Sequence, residues 1–143
     1  MIHLVYADPK AKVLEKILSG RKTMILRAAA GRRTPYGKVR PGETLYLTEH
    51  LGSGKVKACA QVSQVIESGK LEEEACAAFL APYEEQLALS DAQREKMGQK
   101  RFMVLIGIAD AHRIEPFSVE LPGCKDDWVI LEDLDAVRAD YSL

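Results

Sequence analysis

Seven basic side chains stand between Gly20 and Arg40, with no acid among them: Arg21, Lys22, Arg27, Arg32, Arg33, Lys38 and Arg40. Cations at this density attract a polyanion once a fold gathers them on one face. The phosphate backbone of RNA or DNA is the first candidate. Tyr36 sits in the same run, and an aromatic ring among bases suits stacking on a nucleobase beside phosphate contacts. The same residues also describe a solvated surface balanced in space by distant acids. The sequence supplies those acids. Residues 1–40 hold ten bases and two acids, and the remainder holds ten bases and nineteen acids, so the formal net charge of −1 conceals a split.

Other chemistries find less support. The cysteines Cys59, Cys76 and Cys124 are odd in number and far apart, with no Cys-x-x-Cys pair. The histidines His3, His50 and His112 are equally scattered. Neither a metal ligand set nor a redox motif is indicated, and no cofactor is called for. With 143 residues, 47% hydrophobic and 29% charged, the chain fits one domain, residues 1–143, with room for a sizeable core. No apolar run has the length of a membrane span, and the first residues lack the pattern of a signal peptide, so a cytoplasmic location is the default expectation.

The elements that must position these bases follow from periodicity and punctuation. Ile2 to Ala7 is short and apolar and reads as a strand. Asp8-Pro9 predicts a helix start, Val13, Leu14, Ile17 and Leu18 form its apolar stripe, and Ser19-Gly20 ends it. A short strand over Thr23 to Leu26 and a basic loop over Ala28 to Gly42 come next. Thr44 to Thr48 predicts a strand with Leu45 and Leu47 on one face and Tyr46 on the other. After a turn at Gly52-Ser53-Gly54, Lys55 to Ile66 alternates as a half-buried strand should. Residues 71–80 predict a helix, and Ser90-Asp91-Ala92-Gln93 resembles a capping box opening a second one that ends near Gly98. These acidic helices form a lid or flank. Arg101 to Ala109, Arg113 to Val119 and Trp128 to Leu131 predict three further strands, with a helical turn over 132–138. The class is α+β, a small β-barrel with flanking helices and an acidic helical insert.

The segment Gly20-Arg21-Lys22-Thr23-Met24-Ile25-Leu26-Arg27 follows a helix, then come Pro41-Gly42-Glu43 before a strand and Gly54-Lys55-Val56 into a long strand. In this order the pieces resemble the ASCH domain of the PUA-like superfamily, over about residues 2–67 with a weaker echo at 102–108 and at Trp128. Gly20, Lys22 and Arg27 match the family's Gly-x-Lys-x-x-Glu-x-Arg pattern, whereas Glu43 stands for the usual Asp and Ile25 for the usual Glu. The resemblance implies a closed or nearly closed PUA-like barrel, with a cleft beside the first helix that receives RNA or a modified nucleoside. Some small ASCH proteins are similar in motif and act as amidohydrolases, with the motif lysine and a threonine three residues later. Here that position is Ile25, which is no nucleophile, so this activity is disfavoured.

The expected function is therefore an RNA- or nucleotide-binding module with a basic cleft. Lys22, Arg27, Arg32, Arg33, Tyr46 and Lys55 are its candidate ligand-binding residues. An enzyme acting on RNA or a modified nucleoside is the alternative, with Lys22 the best catalytic candidate. A small-molecule sensor or protein-interaction module is a third reading. Lys22 and Arg27 are five residues apart, so in an unbroken strand they would face opposite ways, and sharing a cleft requires a break between them.

Overall fold

A computed structural model describes residues 1–97 and 100–138. Six strands form one sheet in the order β2-β5-β4-β3-β1-β6. They are β1 Ile2–Tyr6, β2 Met24–Ala29, β3 Thr44–Thr48, β4 Gly54–Glu67, β5 Phe102–Val119 and β6 Trp128–Leu131. Only β1 and β3 run parallel; the other pairings are antiparallel. Among the described residues four α-helices accompany them: α1 Val13–Leu18, α2 Glu73–Leu80, α3 Glu84–Leu87 and α4 Asp91–Met97. Among the described residues no helix is long and apolar enough to cross a membrane.

The barrel expected from the sequence is an open curl. The edge strands β2 and β6 do not pair with each other. The curl is nevertheless tight enough for its inner face to make one core. Val5, Ile25, Leu45, Leu47, Ala58, Ala60, Val104, Ile106 and Trp128 come from all six strands, and α1 lays Val13, Leu14 and Ile17 into the hollow. Alternation then sends the odd neighbours outward. Met24 and Leu26 of β2 and Met103 and Leu105 of β5 pack outside against Cys76 and Leu80 of α2 and Leu87 of α3. Both faces of the β2–β5 pair are thus buried, which is why residues 103–108 read as a continuous apolar run rather than an alternating one. The acidic insert is a flank, with its apolar side against the sheet.

Local chemistry explains where boundaries match expectation and where they do not. Ser90 and Gln93 close a reciprocal box: the Gln93 N–H donates to Ser90 Oγ at 3.2 Å, and the Ser90 N–H to Gln93 Oε1 at 2.9 Å. The expected end of that helix at Gly98 lies outside the described residues. Gly20 caps α1 with φ 82°, a left-handed value that glycine adopts at little cost. The start of α1 differs. Asp8 Oδ1 accepts the Lys10 N–H at 2.9 Å, which closes a turn, and Lys12 takes φ 54°, so the helix waits until Val13. The two strands expected between residues 101 and 119 are a single ribbon, β5, bent at Asp110 with φ 55°. Residues 132–138 hold a short 3₁₀ turn, Leu134–Ala136.

A polar relay seals the end of the curl where β1, β3 and β6 meet. His3 is fully buried. Its Nδ1 accepts the Trp128 indole N–H at 3.0 Å, which leaves Nε2 to donate to Glu43 Oε1 at 3.1 Å. The same oxygen accepts the Arg40 N–H at 2.6 Å, and Oε2 lies 3.2 Å from the Met1 amino group. Burial alone would raise the Glu43 pKa. The donors from Arg40, His3 and Met1 outweigh it and hold the carboxyl below its usual range. A depressed carboxylate adds stability that is present above the unfolded value, about 4.3, and lost as pH falls through the folded one. Glu43→Gln should therefore lower the urea midpoint at pH 7, and the gap to the parent should close as pH falls below the unfolded value of about 4.3. A gap that stays constant with pH would show that Glu43 acts by packing alone.

Candidate nucleic-acid interface

The open seam of the curl is bridged by one side chain. Arg27 projects from β2 and its Nη2 donates to the Tyr6 carbonyl, at the end of β1, at 2.7 Å. Its Nη1 donates to the Leu26 carbonyl at 3.1 Å. The Nε lies 3.2 Å from Asp127 Oδ2, off the direction of a hydrogen bond, so this pair is an ionic contact. The guanidinium also sits 5.5 Å from the centre of the Trp128 ring. Burial lowers the Arg27 pKa and Asp127 pulls it back up, and the group remains a cation. Its partner is therefore the β5–β6 connection, not the acidic insert.

Two cavities flank this bridge and share Tyr6, Arg27 and Asp127 as their common wall. The larger, about 530 Å³, is lined by Arg33, Lys100 and Lys125 with Tyr36 and Phe102. The smaller, about 220 Å³, holds Lys22, Lys96, Asp8 and Gln93 against the apolar Val13, Ile25 and Leu89. Together they form a groove along the seam, with six bases and three acids on its walls among the described residues. Among the same residues no three His, Cys, Asp or Glu side chains gather as a metal set would.

Lys22 is the least ordinary of the bases. It is 3% exposed. Its Nζ donates a short hydrogen bond to the Leu87 carbonyl at the end of α3. Burial, then the nearby Lys16 and Arg27 charges, lowers its pKa to about 8. Lys22 and Arg27 share the smaller cavity because β2 begins only at Met24. Lys22 lies before the strand, so the alternation that would have opposed the two side chains does not reach it.

The other sequence candidates separate. Arg33 lines the larger cavity and approaches Asp126 at 3.8 Å. Arg32 lies over the Phe102 and Tyr36 rings, at 5.5 and 5.9 Å from their centres. Tyr36 is held by a short hydrogen bond from its hydroxyl to the Ser68 carbonyl, so the basic loop is anchored rather than loose. Tyr46 faces the outer side of the curl and meets Phe117 edge-on, 6.0 Å between ring centres. Lys55 pairs with Ser118 at the far end of β4. Neither Tyr46 nor Lys55 lines the groove. Ile25, at the position where a carboxylate or hydroxyl was at issue, is 2% exposed and belongs to the inner core. Sequence reading missed Tyr6, Lys96, Lys100, Lys125 and Asp127. Each is unremarkable in its own segment; the pairing of β1 with β6 and of β2 with β5 brings Tyr6, Lys100, Lys125 and Asp127 to the seam, and the helical insert brings Lys96.

Two measurements check this geometry. Arg27→Met should destabilise the chain by about 1.5–3 kcal/mol for each charge-assisted hydrogen bond it removes, seen as a lower urea midpoint. In a spectrum of side-chain-labelled lysines, one amine should titrate near 8, and that signal should be missing in Lys22→Met.

No protein-family model matches the chain, and no curated protein matches it. Solved structures do. The chain is similar to ASCH from Zymomonas mobilis at 19% identity and a TM-score of 0.58, over 80% of this chain and 71% of that one. A serine-to-alanine variant of that protein aligns at 15% identity and a TM-score of 0.65, over 94% of this chain and 91% of the other. A tyrosine-to-phenylalanine variant gives 18% identity and a TM-score of 0.59, over 80% and 73%. The open six-stranded curl with its helix-filled hollow thus has the fold of an ASCH domain.

Proposed function

We propose that this chain binds single-stranded RNA along the seam between β2 and β6. The observation that carries the reading is the groove itself, lined by Arg33, Lys100 and Lys125 on one side of Arg27 and by Lys22 and Lys96 on the other. Cations on the walls of such a groove hold phosphates and release condensed counterions. Tyr6, Tyr36 and Phe102 supply rings on the same walls, where unpaired bases can stack. Asp8, Asp126 and Asp127 oppose a uniform positive field and favour defined contacts over a general basic surface. The fold shared with ASCH structures supports the reading but does not carry it.

Lys22 gives the interaction a pH dependence. A phosphate beside it favours the charged amine and raises its pKa above the free value of about 8. Binding is then strongest below that value and weakens as pH climbs through it, because the free protein has lost the proton that the complex needs. An enzyme acting on RNA is the second reading, and one observation favours it: an amine that releases its proton near neutrality, set in a cleft, is a candidate acid or base.

Fluorescence anisotropy with a labelled single-stranded RNA tests the binding. Affinity should fall with rising KCl with a log–log slope of about −0.7 per phosphate engaged. Lys100→Ala with Lys125→Ala should flatten that slope by about 1.4 units. Affinity should also drop as pH rises from 7 to 9. Undetectable binding at low salt, or binding that ignores salt, overturns the proposal. RNA breakdown that disappears in Lys22→Met would move the second reading ahead.

A further inference from the structure

Away from the groove, the outer face of the β4–β5 pair carries a thiol and an imidazole in register. Cys59 lies between Ala58 and Ala60, both buried in the inner core, so its side chain faces outward. It pairs directly with His112 of β5. The Cys59 Sγ is 3.3 Å from His112 Nε2. The other ring nitrogen, Nδ1, is 2.7 Å from the Asp110 carbonyl and can only donate to it. That bond fixes the proton on Nδ1 and leaves Nε2 as an acceptor aimed at the sulfur.

The backbone is bent at this point. Cys59 opposes His112 and Gln61 opposes Ala109, so Asp110 and Ala111 together face Ala60 alone. This is a bulge, and Asp110 enters it with φ 55°. The bulge turns the Asp110 carbonyl toward the His112 ring. Sulfur, base and orienting acceptor are linked through the two ring nitrogens, which is the arrangement of a nucleophile with its general base. His112 is exposed and Cys59 half-buried, so a small reagent can reach the pair.

We propose that Cys59 and His112 form a peroxide-reactive thiol site, separate from the groove. His112 Nε2 takes the thiol proton as Sγ attacks one peroxide oxygen. An S–O bond forms and the O–O bond breaks. The departing oxygen takes the proton back from the imidazolium and leaves as water. Cys59 becomes a sulfenic acid, oxidised by two electrons, and the peroxide is reduced by the same two. Burial raises the Cys59 thiol pKa, so the resting sulfur keeps its proton and depends on the base beside it.

The other cysteines are internal references. Cys124 is also half-buried, and Cys76 is buried with its Sγ donating to the Lys100 carbonyl at 3.2 Å. The reduced full chain is treated with hydrogen peroxide and dimedone, and each cysteine's labelling rate is read by peptide mass spectrometry. Cys59 should be labelled about a hundredfold faster than Cys124, the lower end of the span expected of a positioned base. His112→Ala and His112→Gln should each bring Cys59 down to the Cys124 rate, while Cys124 itself is unchanged. Free imidazole should restore part of the rate in His112→Ala, which a change of packing alone would not allow. The proposal is overturned if Cys59 reacts no faster than Cys124, if both variants leave its rate unchanged, or if imidazole restores nothing.

Discussion

The curl depends on Arg27. A six-stranded sheet that does not close leaves two edges with unpaired backbone groups, and those edges must be kept apart or covered. Here they approach each other and a guanidinium fills the gap. It reaches from β2 to the Tyr6 carbonyl, rests beside the Trp128 ring and meets Asp127. A planar cation with five donors suits this task better than a lysine ammonium, which lacks the fixed fork. Because the seam is held by a side chain rather than by a ladder of hydrogen bonds, hollows remain on both sides of it. The same residue that holds the curl therefore defines the wall of the groove.

The acidic insert acts on the site from outside the curl. Its apolar side covers Met24, Leu26, Met103 and Leu105, with Leu87 fully buried among them. The end of α3 then presents the Leu87 carbonyl to Lys22, and the following Leu89, Gln93 and Lys96 wall the smaller cavity. Packing of an outer layer thus desolvates an amine on the seam, which links the hydrophobic burial of the insert to the acidity of Lys22. Within the insert, Glu84 pairs with Arg94 at 2.8 Å.

Much of this was legible along the chain. The alternation of β4, the capping pair Ser90–Gln93 and the glycine cap at Gly20 are local rules, and each element formed where its residues required it. The outward parity of Tyr46 was legible as well, since Leu45 and Leu47 claim the inner face. That the groove lies on the seam and not on the Tyr46 face was not. The start of α1 was misread because Asp8 closes a turn two residues on rather than capping a helix. The unbroken run of β5 was misread because a left-handed Asp110 looks, in sequence, like the end of a strand. Nothing near His3 signals its link to Glu43 and Trp128, or near Cys59 its link to His112, because each pair forms across a strand ladder.

The linear order of residues settled most of the elements, the crowding of cations before residue 41 and the ASCH-like motif, because these rest on contacts between near neighbours. Only the tertiary structure decided that the sheet stays open, that Lys100, Lys125 and Asp127 join Lys22 and Arg27 at one seam, and that an outer layer of helices withdraws Lys22 from water. The physical reason is that strand order and burial are set by the packing of the whole chain, and a local segment carries no record of which distant strand will lie beside it.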